Sequence, residues 1–297
     1  MTSVEFFTDP RRFAAAIEPL VDRDRAGAVM ISHLVANQLV NPYPKPPLLA
    51  AVRNGTQVGV AVVRVPSYPM VVTIDPELRD PAGALGLLAD AVVARDEPIV
   101  GFVGRRTTAR LMSDSWSVRT GSTAKPRMWE LYYRLGELRE PKNVPGEPRQ
   151  ASMTDPADVA LLAQWFCEFR RETGISRTPP VPDPDTLLSN AARGEVVMLW
   201  CVDGQPVAAA GHSAVRDRHS KIAPVYTQPD QRHHGYGAAA TAAAVRSAQR
   251  GGAGEITLFT DADYPTSNAC YRRLGFEVIG EFAEFDIDPV SVGTAAG

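Results

Sequence analysis

Residues 225 to 249, VYTQPDQRHHGYGAAATAAAVRSAQ, limit the fold of this chain more than any other stretch. A β-prone run ends before Gln228-Pro229, a short basic turn follows, and two glycines open an alanine-rich helix. Read in register, the turn is Arg232-His233-His234-Gly235-Tyr236-Gly237, an RxxGxG between a strand and a helix. A helix N-terminus carries about half a positive charge and several unpaired N–H groups, and glycine lets the backbone approach an anion closely. Pyrophosphate is the natural guest of such a turn. Two other readings compete with that one. The glycines could simply relieve backbone strain, or Gly235, Gly237 and Ala240, with Asp261 beyond them, could form a dinucleotide fingerprint for NAD or FAD. Context opposes the fingerprint, because it opens a domain of alternating strands and helices, whereas here three strands precede the turn and the chain ends soon after it.

The rest of the sequence sets the frame. A chain of 297 residues, 44% hydrophobic and 22% charged, is expected to form about two domains. A formal net charge of −3 provides no basic field for nucleic acid or anionic lipid. The N-terminal MTSVEFFTDPRRF lacks an apolar leader and no run is long enough for a bilayer span, so a cytoplasmic protein is expected. Cys167, Cys201 and Cys270 are odd in number and far apart, which fits reduced thiols and no metal site. Prolines gather at 41–47, 141–148 and 179–184. The middle group follows the strand-like MWELYYRL and precedes DPADVALLAQWFCEFRRETG, a helix with Leu162, Trp165, Phe166 and Phe169 on one face, so it is the expected domain boundary. Beyond it the pattern is mixed α+β: three strands, the glycine turn and its helix, a strand over EITLFT, a short helix, and a last strand over FEVIGEFAEFDI.

The two halves resemble each other weakly. Gly55 matches Gly204 and Val58 matches Val207 at one offset, and three later stretches match at slowly rising offsets, as small insertions would produce. The last of them sets ARLMSDSW on ACYRRLGF, which puts Leu111 on Tyr271 and Trp116 on Phe276. The first half has no RxxGxG. Its PELRDPAGALG carries Pro81, which removes an N–H donor, and acidic Asp75, Glu77 and Asp80 stand close by.

The stretch VYTQPDQRHHGYGAAAT, followed at the expected interval by LFTDADYPTSNACYRRLGF, resembles the acyl-CoA-binding core of the GNAT superfamily of N-acetyltransferases over about residues 150 to 287. The resemblance implies an α+β (α/β) fold of tandem GNAT-like domains, each a mixed, largely antiparallel central sheet flanked by helices. A degenerate domain is expected at 1–140, a linker at 141–150, a catalytic domain at 151–289 and a flexible tail at 290–297. It also implies an acetyltransferase that uses acetyl-CoA as donor, needs no metal, and acts on an amine acceptor as a monomer or homodimer. A non-catalytic acyl-CoA-binding or sensing protein is the alternative.

By that resemblance the strand before the turn splays from its neighbour, and Val225, Tyr226 and Thr227 offer backbone bonds to the pantetheine arm and the acyl carbonyl. Pro224 agrees, since proline inside a strand marks a bulge or lost pairing. The N–H groups from His233 through His234, Gly235, Tyr236 and Gly237 to Ala238 would hold the pyrophosphate, with Arg232 as a charge or brace. Tyr271 is the expected proton donor to the leaving sulfur. The base is expected to be Glu168 or His212. Many family members have Asn where this chain has Tyr264, so Ser267 or Asn268 is expected to replace that contact. The loop RTPPVPDPD is expected to line the acceptor side.

Overall fold

The computed structural model describes residues 2–40 and 42–288, and the tail expected at 290–297 lies outside them. The described chain forms two units. The first takes the described residues up to Leu131, 261–263 and 279–288; the second takes Tyr132–Thr260 and Tyr264–Val278.

The first unit contains β1 (Thr2–Phe7), α1 (Pro10–Arg23), α2 (Val29–Val40), β2 (Leu48–Asn54), β3 (Gln57–Arg64), β4 (Met70–Ile74), α3 (Pro81–Val93), β5 (Gly101–Arg105), α4 (Arg106–Thr120) and the start of β6 (Thr123–Leu135). Its strands lie in the order β1-β2-β3-β4-β5, antiparallel except for the β4–β5 pair. Alternation along β3 builds two cores. Val60 and Val62 join Leu85, Leu88 and Met112 from α3 and α4 on one face, while Ala61 and Val63 join Phe13, Leu20 and Ile31 from α1 and α2 on the other.

The second unit contains the end of β6, then β7 (Glu147–Gln150), α5 (Pro156–Thr173), α6 (Pro184–Ala192), β8 (Val196–Val202), β9 (Gln205–His212), β10 (His219–Thr227), α7 (Tyr236–Arg250), β11 (Glu255–Asp261), α8 (Pro265–Arg273) and the start of β12 (Phe276–Asp288). Strands β7, β8, β9 and β10 pair antiparallel in that order, and β10 meets β11 in parallel. Leu162 and Trp165 of α5 pack with Leu199, Ala209 and Tyr226 on one face, with Phe166 and Phe169 against them, as the apolar stripe predicts. On the other face α7 lies over β9, and its buried alanines let the helix come close to the sheet.

Several features depart from the sequence reading. β7 occupies part of the expected linker, and α6 starts directly behind the proline-rich loop with Asp183 as its cap. β6 begins in the first unit and ends in the second, whereas β12 does the reverse and pairs with β5 over Phe282–Asp286. Gly55 and Gly204 both lie in strand-connecting turns, but Gly55 is the first of its two loop residues and Gly204 the second, one residue out of the suggested register. The Leu111–Tyr271 match also fails, because α4 has 15 residues and α8 only 9. Counting from the helix starts sets Met112 against Tyr271, and counting back from β6 and β12 sets Val118 there; neither side chain can donate a proton.

Candidate active site

Strand β10 pairs with β11 only over His219–Lys221, and then runs on from Ile222 to Thr227 against β9 alone. A register shift between Ile222 and Val225 marks the bulge that Pro224 foretells. Gly211 of β9 permits it, since a Cβ there would sit 2.7 Å from the carbonyl oxygen of Ala223. Sequence reasoning passed over Gly211, although a glycine inside a strand is the ordinary sign of such a close approach. The edge of β10 that faces away from β9 is thus free of β11 over Val225, Tyr226 and Thr227.

The turn after β10 leads straight into α7. His233 takes a φ of 68° and Gly235 one of 85°, so the backbone folds back twice in the left-handed region before the helix starts at Tyr236. Aspartates 9, 80, 155 and 183 cap α1, α3, α5 and α6, whereas α4, α7 and α8 open without a side-chain cap, α7 on Gly235. His233, His234 and Gly235 are exposed. The His234 ring stacks on Tyr236 at 5.4 Å, and Nδ1 contacts the Gln231 carbonyl oxygen at 3.4 Å. Gly237 faces Thr227, with a Cβ position 2.9 Å from Thr227 Oγ1.

Helix α5 supplies the polar partners of this region. Glu168 accepts from Tyr226 Oη at 2.7 Å and from Gln164 Nε2 at 2.6 Å. The bond from Gln164, followed by that from Tyr226, holds the Glu168 carboxyl below the usual carboxylate range. Burial, then the bond to this carboxylate, pushes the Tyr226 phenol upward, so the pair is an ionised acid and a neutral phenol. One turn further, Glu172 accepts both a 2.7 Å and a 2.9 Å bond from Arg232 Nη2, and Arg232 Nε donates to the Thr227 carbonyl oxygen at 3.1 Å.

Tyr271 is 9% exposed, its ring set between Tyr133 at 6.3 Å and Phe276 at 6.0 Å. Its hydroxyl makes no hydrogen bond among the described residues, and burial raises its pKa. Asn268 does not present its amide as the sequence suggests. Its Oδ1 accepts from Tyr133 Oη at 2.9 Å and its Nδ2 donates to the Tyr264 carbonyl oxygen at 2.9 Å, which secures the first turn of α8. The hydroxyl of Ser267, half-buried beside it, has no such engagement among the described residues.

His212 lies elsewhere. It pairs with Ile222 at the far end of β9, and its Nε2 contacts Ser247 Oγ at 3.0 Å, eleven residues into α7, or about 16 Å along that helix. Its Nδ1 must donate to the Ser213 carbonyl oxygen at 2.9 Å, so Nε2 accepts from Ser247 and the neutral ring has no lone pair left for a substrate. The expectation of a basic His212 is therefore corrected. Its burial, and that of His219, lowers both pKa values below 6.5, in His219 against the pull of Glu255. The unfolded chain takes up protons near pH 6.5 while the folded state resists them, so stability is complete above that pH and falls as pH drops through the folded values. The melting temperature is expected to be flat above about pH 7 and to decline between about pH 6.5 and 5, before the carboxylates titrate. A His212→Gln variant with the same slope in that window would refute the assignment for His212.

Residues 160–276 match the model of the acetyltransferase (GNAT) family. This part of the chain is therefore a GNAT-family domain. No curated protein matches the chain in sequence. Among solved structures, the chain is similar to a GCN5-related N-acetyltransferase from Sphaerobacter thermophilus, at 14% identity and a TM-score of 0.64 over 96% of this chain and 94% of that one. A GCN5-related N-acetyltransferase from Kribbella flavida aligns at 20% identity and a TM-score of 0.57 over 88% and 95%. A tandem GNAT protein from the clavulanic acid biosynthesis pathway aligns at 14% and 0.60 over 96% and 98%. At these identities the likeness concerns the fold, and it runs through both units.

Proposed function

We propose that the second unit is an acyl-CoA-dependent N-acyltransferase that moves an acetyl group from acetyl-CoA to an amine by direct attack. The observation that carries this reading is the path of β10, which leaves β11 after Lys221 and delivers a backbone edge free of β11 into the start of α7, which has no side-chain cap. On this reading the edge over Val225–Thr227 takes the pantetheine amides and the acyl carbonyl, and the N–H groups from His233 to Ala238 take the pyrophosphate. Ser267, whose hydroxyl has no partner among the described residues, is assigned the contact for which Asn268 is already spent. The amine nitrogen attacks the thioester carbon, backbone N–H groups stabilise the oxyanion, and collapse releases the thiolate to the Tyr271 hydroxyl.

Glu168 is assigned to the acceptor side. An ionised carboxylate held below its usual range is a weak base, so its part is to attract and orient the amine, whose proton leaves to water.

The first unit is assigned no donor site. Asp80 caps α3 by accepting from Gly83 N at 2.9 Å, which places a carboxylate where the phosphates would sit. Calorimetry is expected to find one acetyl-CoA per chain and no binding of NAD or FAD. Two acetyl-CoA sites, or a dinucleotide in place of acetyl-CoA, would overturn the reading.

A further inference from the structure

Gln164, Glu168 and Glu172 follow one another at four-residue steps along α5, each already engaged in a hydrogen bond, and the last of them, Glu172, has no role in the reaction described above. We infer that Glu172 is a positioning residue for the acyl-CoA donor, acting through Arg232; this rests on the proposed function of the second unit.

The geometry assigns Arg232 a job different from its sequence context. An arginine at the head of a glycine turn invites the idea of a charge offered to phosphate. Here one face of the guanidinium is taken by the Glu172 carboxylate, whose two oxygens lie 2.9 and 2.7 Å from Nη2, while Nε holds the last carbonyl of β10 at 3.1 Å. The guanidinium carbon also stands 5.9 Å from the Tyr226 ring centre. Its charge is thus balanced by a carboxylate, and its directional bonds run to α5 and to Thr227. Arg232 is a rivet between the end of β10, the turn, and α5. Glu172 fixes its orientation, since a guanidinium binds a carboxylate and a carbonyl together only in one plane. What the rivet holds in place is the stretch from Thr227 to Gly235, from which the donor would take its backbone bonds. The parallel contact of Glu168 with Tyr226, four residues earlier on the same helix face, ties down the preceding residue of β10.

The two possible roles predict opposite signs. If Arg232 is a brace, Glu172→Ala loosens the turn and weakens the donor. If Arg232 is a phosphate ligand restrained by Glu172, the same change releases its charge and strengthens the donor. The test measures acetyl-CoA affinity by calorimetry for the wild type, Glu172→Ala, Arg232→Ala, the double variant and Arg232→Lys, with melting temperatures alongside. Both side chains are partly exposed, 33% for Arg232 and 44% for Glu172, so these variants are expected to fold. Glu172→Ala is expected to weaken acetyl-CoA binding by about fivefold, the upper scale of an exposed ion pair. The double variant is expected to be no weaker than Arg232→Ala alone, since both changes cut one link. Arg232→Lys should not rescue binding, and in steady state Glu172→Ala should raise KM for acetyl-CoA while KM for the acceptor stays put. Unchanged or tighter binding in Glu172→Ala, with wild-type binding intact, would overturn the brace. Absence of acetyl-CoA binding in the wild type would instead remove the functional reading on which it stands.

Discussion

Replacing Tyr271 by phenylalanine is expected to lower kcat by about 10²-fold, the lower end of acid–base effects, with acetyl-CoA affinity almost unchanged. The ring lies between Tyr133 and Phe276, and phenylalanine keeps those contacts, so the fold of α8 should survive. Only the hydroxyl is lost, and it serves no partner among the described residues. Burial raises its pKa, so at neutral pH it stays a proton-bearing donor. A phenol of ordinary pKa near 10 is already uphill as a full acid toward a thiolate whose conjugate acid is near 8.5, by roughly 2 kcal/mol, and burial of the phenol widens that gap. The effect therefore comes from a hydrogen bond to the leaving sulfur that is stronger in the transition state than in the bound thioester. Full activity in Tyr271→Phe would reduce the residue to packing under α8.

The second large effect is expected at Gly235, where valine should weaken acetyl-CoA by about 10²-fold or more while circular dichroism shows the fold intact. Its φ of 85° lies in the left-handed region, where a side chain costs about 1–2 kcal/mol and a β-branched one more. A Cβ would also stand 3.2 Å from Val144 Cγ2. The turn must then move, and its N–H groups lose their common aim. Gly237→Ala gives the graded comparison, because its Cβ would meet only the Thr227 hydroxyl, which can rotate away. In the first unit, Asp80→Ala should cost about 1 kcal/mol of stability through the lost cap and leave donor binding as it was. Unaltered acetyl-CoA binding in Gly235→Val would remove the phosphate cradle.

Local signals carried most of the second unit. The glycine turn, the bulge at Pro224 and the apolar stripe of α5 are written in contiguous residues, and each appears where its chemistry requires it. The two missed elements hide behind proline. β7 is the short edge strand EPRQ, where proline is tolerated because no neighbour needs its N–H, and α6 begins with Pro184 in the first-turn position that also tolerates it. Long-range partnership was not legible. The bonds from Tyr226 to Glu168 and from Arg232 to Glu172 join residues 58 and 60 apart, and no periodicity in α5 says which of its polar residues will meet β10. The same holds for β6 and β12, whose patterns mark them as strands but do not say in which unit each will end. His212 misled because a histidine in a strand of the second unit suggests chemistry, while its distance from the splayed edge depends on register.

The central claim, that the second unit transfers the acyl group and does more than hold it, is tested most directly by following free thiol from acetyl-CoA against a broad panel of amines. Thiol is expected to accumulate only when a suitable amine is present, in step with the acetylated amine, and to slow by about 10²-fold in Tyr271→Phe. Tight binding of acetyl-CoA without amine-dependent thiol release across the panel would contradict the account and leave an acyl-CoA-binding protein in its place.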